Sequence, residues 1–595
     1  MNIQNHLKVN IKMSALKQYI QSPLRLIINV VFYMTCVFST IDTTLFVYPS
    51  LSRSMLMECC VLALTLIAIT HAVAKRKNFV IDSLSIYLLC WITFVVVHGL
   101  LLPVMEEYRT LYLCITLFGV LPLAYLRSIG MLTRRSIENG LLLVTMMHIL
   151  CILGQYMGFF SSYNAYFAVV GFNENPTVTA IYIVGTLPLI VGRLRDKRFK
   201  TFYFILLLLC LLSLVCLKCR TAYIGLCIEN FIGTTFYVRN NKNSVPILYK
   251  WAFLLLSLVI VAVVAMKLYK LKQDSADSRL LIWKLSAKMI VEKPQGYGYG
   301  LYEKYYNLRQ SDYFRGDVSS DIERRTASFT AMAYNDYLEH GVEGGIIGMF
   351  FIVTFYVMLI RKSLRKCDMQ ICCVVGSFSV MSLTNFVYSS IQPWLLLMCY
   401  ASLLVTIPEK SKGANRYVSS VSVVLLLLSV ISMIKVISMT RGQIVLKSYS
   451  ERIPKRQGVS DSLMLQLRAS VGTSEAYWNL CAYNNIKQGK YAEAMAELKK
   501  AHQLTSSPQV FEMLYFVCQH NEKEKEGIKY IDTLCSLQPS LLHPKLLLME
   551  YYKRHGERDM ALKYAKDILI TPARVNNETS LKIKSKAQDF INSNH

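Results

Sequence analysis

Charge is scarce in this chain. Of its 595 residues only 17% are Asp, Glu, Lys or Arg, while 54% are hydrophobic and the mean hydropathy is +0.36. An ordinary soluble protein carries about 25% charged residues, so this shortage excludes an ordinary soluble domain. Acid is scarcer than base: 38 Asp and Glu stand against 65 Lys and Arg, a net charge of +27. The basic residues are spread over loops rather than gathered in one patch, which argues against a nucleic-acid binder. Ligand-like groupings are also missing. Most of the seventeen Cys lie inside apolar runs (Cys59, Cys60, Cys90, Cys114, Cys210, Cys372, Cys373). They read as small core residues, not as a disulfide framework or a metal site. No small-residue cleavage site follows the first apolar run after Lys8, Lys12 and Lys17, so that run reads as a retained helix, not a cleaved signal. The GYGYG stretch at 296–300 has no strand before it and no phosphate-cradling helix after it. It reads as a flexible turn, not a nucleotide site.

Long apolar runs are abundant instead. They lie near 24–41, 55–74, 84–104, 110–126, 140–158, 177–192, 201–217, 221–237, 250–268, 345–360, 371–390, 392–407 and 418–440. Each can span a bilayer as a helix, which predicts an all-α, polytopic membrane protein of 12–13 transmembrane helices. The connections alternate in charge. The N-terminus (1–23), Lys75-Arg76-Lys77, Arg127 with Arg134-Arg135, 193–200, Arg239 with Lys242, 361–366 and 409–416 are basic; 42–54, 105–109, 159–176 and 388–391 are not. The positive-inside rule places the basic set in the cytoplasm. The long loop 269–344 and everything after 440 are then expected outside.

From about residue 460 the chain turns amphipathic. Ala494, Gly527 and Ala561 recur at spacings of 33 and 34, and Gly489 and Gly556 each precede a member of that series by five. This is the tetratricopeptide period, with small residues where two helices pack closely. Trp478, Tyr491, Leu498 and Ala501 fit the first unit, and the middle unit is degenerate. Residues 460–595 are therefore expected to be a repeat domain with a groove for a protein partner.

Polar residues gather at the outer ends of these runs. Arg220 sits between two spans with almost no loop. It is either a snorkelling interfacial cation or an anchor for an anion, because a guanidinium fork binds two phosphate oxygens at once. Arg279 and Trp283 lie one turn apart on an amphipathic segment whose apolar face reads Leu280, Trp283, Ala287, Ile290. Arg279 is either a solvated helix charge or a second anchor. Tyr334, Asn335, Asp336, Glu339, His340 and Glu343 crowd the entrance to the run at 345–360, beside Gly344, Gly345 and Gly348, which permit close helix approach. Asn175 precedes Pro176 at another outer helix start, where capping explains it as well as binding does.

Four segments in this order, GFNENPTVTAIYIVGTLPL, the Arg220 run, SRLLIWKLSAKMIVEKPQGYGYG and AYNDYLEHGVEGGIIG, together resemble the O-antigen ligase and polymerase superfamily of membrane glycosyltransferases. The resemblance covers roughly residues 20–440. It implies a bacterial inner-membrane enzyme with its N-terminus cytoplasmic, a periplasmic catalytic loop at 269–344 and a periplasmic tail. The implied donor is an undecaprenyl-pyrophosphate-linked glycan. The implied acceptor is a lipid A–core sugar, a growing glycan or a protein hydroxyl, with no metal, nucleotide sugar or other cofactor. Arg220 and Arg279 match the family's pyrophosphate-binding arginines; Asn175, Trp283 and Glu339 are carried as substrate-binding. Tyr334 departs from the family, where His usually precedes this Asn. Tyr titrates near 10 and is a poor base at neutrality, so hydrogen-bond positioning by Tyr334 and Asn335 is expected, with Asp336, Glu339 or His340 as the base. Rival readings are a structural aromatic belt at 334–340, a transporter or flippase of lipid-linked glycans using Glu58, Glu229, His98 or His148, and a scaffold acting through its repeats. No inverted repeat supports the transporter, and thirteen helices would make a large anchor for a scaffold.

Overall fold

The computed structural model describes residues 23–75, 82–240, 273–316, 319–406, 416–452, 460–572 and 577–593. Among them there is helix and no strand, and the protein is an all-α polytopic membrane protein. Eight described helices are long and apolar enough to cross a membrane, including Leu51–Ala74, Ser83–Leu101, Glu107–Ser128 and Lys200–Leu217. Pro23–Phe38, Met369–Met381 and Ile391–Leu404 are apolar but shorter. Arg220–Asn240 is helical, and the run expected at 250–268 lies outside the described residues. The run at 371–390 is not one span: its helix stops at Met381. A turn follows, in which Asn385 donates to Thr221 Oγ1 at 2.9 Å. Polar side chains there satisfy backbone and one another where a continuous helix would leave them facing lipid.

The chain divides into two compact units. The first comprises Met1–Val96, Leu111–Ala265 and Val353–Ile444. Its interior is apolar and its helices approach closely at glycines, as where Gly185 faces Phe378 and Gly225 faces Met381. Two polar groups tie its loops. At the ends expected in the cytoplasm, Arg134 pairs with Glu138 at 2.7 Å and Asp368 at 2.5 Å, and Lys362 with Asp82 at 2.7 Å. At the ends expected outside, the buried Arg53 binds Asp42 and Asn173. Glu229 accepts from Ser377 Oγ at 3.0 Å, a buried carboxyl with a partner in the facing helix.

The second unit comprises Val97–Thr110, Met266–Ile352 and Val445–His595. Charge alternation leads to the expectation that the polar parts of these three segments lie on one side of the membrane; the three segments form one compact unit. Its C-terminal part is three helix pairs, Glu475–Lys487 with Tyr491–Leu504, Pro508–His520 with Glu524–Leu537, and Leu542–Arg554 with Arg558–Ile570, followed by Glu578–Asn592. First helices begin at 475, 508 and 542, the period read from the sequence. Ala494 and Ala561 are fully buried, and a Cβ on Gly527 would stand 2.8 Å from that of Cys518.

The middle pair forms despite its degenerate sequence. Gly489 and Gly556 turn the other two pairs at φ 76° and 74°, and Glu522 holds the equivalent place at φ 56°. A side chain in the left-handed region costs on the order of 1 kcal/mol. Glu522→Gly is therefore expected to stabilise the second unit by up to about 1 kcal/mol, and Gly489→Val to destabilise it by more. Thermal unfolding of the detergent-solubilised full chain checks this; a lower midpoint for Glu522→Gly would refute the turn assignment.

Candidate functional site

The site is built in the second unit around a break in one long helix. Asp336–Arg365 is helical except at Gly345, whose φ of 68° and ψ of −165° only glycine adopts readily. The break frees carbonyls that a continuous helix would have used, and the GYGYG segment takes them. Tyr297 N–H donates to Val342 O at 2.9 Å, Gly298 N–H to Glu343 O at 2.8 Å, and Ile346 N–H to Pro294 O at 2.9 Å. The Glu343 carboxylate accepts from Gly300 N–H at 2.9 Å. Gly296, Gly298 and Gly300 are all left-handed, at φ 87°, 116° and 84°. A Cβ on Gly345 would fall 2.2 Å from Pro294 O, and one on Gly296 would fall 2.4 Å from Gly345 N. The stretch expected to be a flexible turn is thus a clasp locked on the helix break. The glycines expected to admit a neighbouring helix admit this clasp and the Tyr299 hydroxyl.

Gln273–Glu292 supplies the next wall. Its buried stripe is Leu281, Ile282, Leu285, Met289 and Ile290; of the predicted face only Ile290 is fully buried, and Leu280 and Ala287 are exposed. Trp283 is half-buried and donates its indole N–H to Ala333 O at 3.1 Å. One turn earlier, the Arg279 guanidinium lies 4.9 Å from the centre of the Tyr334 ring, a cation–π contact that fixes both groups.

Tyr334 itself is bent, at φ 51°, a rare conformation for an aromatic residue. The bend turns the irregular 327–333 segment into the helix start. Asn335 caps that helix, its Oδ1 accepting from Tyr337 N–H at 3.0 Å and Leu338 N–H at 3.1 Å. Glu339 reaches back over the turn, accepting from Ala333 N–H at 3.0 Å, with Arg109 Nη2 3.8 Å from its other oxygen. Arg109 comes from the short segment 97–110, beside Glu106, which burial pushes up to about 7 against the opposing pull of the Arg109 backbone and side chain. Asp336 and His340 are buried, and the His340 ring meets the Tyr299 ring edge-on at 5.7 Å.

The structure thus gathers Arg279, Trp283, Tyr334, Asn335, Asp336, Glu339 and His340 in one unit and adds Arg109. Sequence reasoning missed Arg109; the signal was a cation in an outer loop expected to be poor in positive charge. Arg220 and Asn175 belong to the first unit. Arg220 opens its helix, half-buried, two residues after the left-handed Lys218. Asn175 caps Pro176–Arg193, accepting from Thr177 N–H at 2.9 Å. The more deeply held residue there is Asn173, between Arg53 and Thr179. Among the described residues no group of three His, Cys, Asp or Glu is placed to hold a metal ion.

Residues 177–353 match the family model described as O-antigen ligase. The match begins beside Asn175 and contains Arg220, Arg279, the clasp and 334–340, and over that segment it supports the O-antigen ligase superfamily. No curated protein matches the chain.

Two outcomes follow. Gly345→Ala puts a methyl into a carbonyl and strains the backbone, at a cost on the order of 3 kcal/mol. Its product should lose the clasp, seen as fast amide exchange at 294–300; protection equal to wild type would contradict the interlock. The second concerns acid. Burial alone would raise the Glu323 carboxyl. Lys284 at 2.8 Å, Ser320 N–H and the Tyr313 hydroxyl outweigh burial and bring it down to about 2, from an ordinary 4.5. A lowered carboxyl stabilises fully above about 4.5, and that contribution is lost as pH falls through about 2. Lys284→Met should therefore flatten the decline of the unfolding midpoint between pH 4.5 and pH 2. An unchanged slope would count against the pair.

Proposed function

From the O-antigen ligase superfamily as premise, we propose that this multi-pass membrane protein transfers a glycan from undecaprenyl pyrophosphate to an acceptor hydroxyl. The reaction runs on the periplasmic face of a bacterial inner membrane, with the N-terminus cytoplasmic and the C-terminal repeats, read as tetratricopeptide-like, periplasmic. The observation that carries the reading is the family match over the segment that contains Arg279 and Tyr334 in direct contact.

In the step, the acceptor oxygen bonds to the anomeric carbon and the bond from that carbon to the lipid diphosphate breaks. The acceptor hydroxyl gives up its proton, and the diphosphate leaves with the bonding pair. Charge then develops on the phosphate oxygens, and Arg279 is assigned to hold it; the resemblance gives Arg220, in the first unit, the same role. A guanidinium stays charged at every working pH and offers paired donors. Donors fixed in advance stabilise a developing anion without reorganising, and the Tyr334 ring beneath Arg279 supplies that fixity. The Tyr334 hydroxyl orients the acceptor. Glu339 receives the proton, its carboxyl set by Ala333 N–H and Arg109. Asn335 acts as the cap that starts the helix carrying Glu339.

Three acceptor classes fit: a lipid A–core sugar, a growing polysaccharide and a protein hydroxyl. Glycan profiles of cells bearing Arg279→Ala, a deletion and wild type distinguish them, with membrane levels of each protein verified. Arg279→Ala is expected to reproduce the deletion, with transfer down about 10²–10³-fold and lipid-linked glycan accumulating; the product that disappears names the acceptor. Glu339→Gln should lower turnover by about 10²-fold or more with little effect on donor binding. Wild-type glycans from Arg279→Ala, against a clear deletion phenotype, would move the assignment to a transporter or scaffold.

A further inference from the structure

We infer that the repeat domain is a wall of the catalytic site, holding the segment that carries Tyr334 in place, and that Gln310 is the positioning residue joining the two. This rests on the transfer reading for its activity readout.

Residues 327–333 have no regular structure, so side chains must satisfy their backbone. Gln310 Nε2 donates to Ser328 O at 3.1 Å. Asn307 brackets Thr330, donating to its carbonyl at 2.9 Å and accepting from its N–H at 3.0 Å. Trp283 and Glu339 hold the two sides of Ala333. The position of Tyr334 therefore depends on the helix Tyr302–Arg315, which supplies Asn307 and Gln310.

That helix is in turn seated on the repeats. The second donor of Gln310 goes to Leu537 O at 2.8 Å, and its oxygen accepts from the Tyr306 hydroxyl at 2.9 Å. One buried amide thus bridges the Tyr334 segment and the second repeat pair with its full donor set. Beside it, Phe329 packs with Phe511, Leu534 and Leu537, so the segment touches the repeats directly as well. Farther along, Glu303 accepts from Thr505 Oγ1 at 2.7 Å and from Ser506 N–H and hydroxyl at 3.1 and 2.9 Å. Lys304 donates to Gln503 O at 2.6 Å, and Ser311 to Thr533 O at 3.1 Å. Glu303 O also receives the Asn307 amide at 2.6 Å, so the Ser506 contact leads to Thr330 through two residues.

The test uses the full chain with four variants. Gln310→Leu keeps the volume and removes both donors. Ser506→Ala loosens the same path from the repeat side. Arg315→Ala removes an exposed contact to Thr533 and Asp532 that does not lead to 327–334. Arg279→Ala reports on the transfer reading alone. Amide exchange of peptides covering 327–334, the unfolding midpoint, and kcat and KM for transfer are measured for each. Gln310→Leu is expected to speed exchange at 327–334 and lower kcat, each about tenfold, the size of one or two lost neutral hydrogen bonds, with donor KM within about twofold. Ser506→Ala should move both in the same direction by less, and Arg315→Ala should move neither. If Gln310→Leu fails to fold, Ser506→Ala decides alone. Wild-type exchange and turnover in Gln310→Leu and Ser506→Ala overturn the inference, as does an equal loss from Arg315→Ala. Full transfer by Arg279→Ala overturns the transfer reading instead, and the exchange data then judge the coupling by themselves.

Discussion

The contact of Gly296 with Gly345 is the constraint on which the second unit depends. Two backbones meet there with no room for a methyl group on either. The meeting is possible because both residues take left-handed conformations, and it is held because each chain satisfies polar groups the other has freed. A helix entering a membrane normally needs its hydrogen bonds continuous. Here the discontinuity falls at the polar entrance, where the clasp completes the ladder. The helix start that carries Asn335, Asp336 and Glu339 can therefore point differently from the apolar stretch below it.

That arrangement explains why a polar, aromatic stretch runs without a break into an apolar one. Asp336–Gly344 belongs to the site and Ile346–Arg365 to the spanning part, and Gly345 separates them. Above the break, the segment carrying Tyr334 is tied from several sides. Arg279 is one turn from Trp283, which is tied to Ala333, and Glu339 ties the same residue from the other side. The left-handed Tyr334 is strained, and strain of this size persists where its neighbours over-determine it.

Much of this was legible in the sequence. Runs of apolar residues announced the spans because bilayer thickness demands a near-fixed length, and the repeat period survived because small residues are required where helices touch. The segments around 105–109, 269–344 and the tail, expected from their charge to share one side, form one compact unit. What was not legible depended on pairings distant in sequence. The helical face of 280–290 was misread, since Leu280 and Leu281 are indistinguishable until Leu281 is known to share a core with Tyr302 and Tyr306. GYGYG looked flexible because glycine signals conformational freedom, and only its partner at 342–346 removes that freedom. Arg109 could not be weighed against Glu339 across more than two hundred intervening residues. Glu522 shows the converse: the middle repeat looked degenerate, yet its neighbours impose the shared turn on a residue that resists it.

The partition of polar groups also bears on how such a site excludes water without metal or cofactor in the expected chemistry. In the proposed transfer, a glycosyl donor poised against its diphosphate must meet the acceptor hydroxyl before it meets water. Asp336, Glu339, Glu343 and His340 are all buried, so the carboxyls are set in protein rather than solvated, and Tyr334 stands half-buried at their edge. A phenol is a weak base but a rigid, directional hydrogen-bonding group with an apolar body. On the proposed reading, Tyr at 334, where the resemblance leads one to expect His, leaves proton removal to a neighbouring carboxylate and keeps a positioning role there. Positioning is only as good as its support, and at 334 that support is a segment without regular structure, held by Gln310, Asn307 and the repeat helices behind them. On the proposed reading, a positioning Tyr in this place asks for a stiffer wall than a His acting as its own base would. The close seating of Tyr302–Arg315 on the repeats meets that demand.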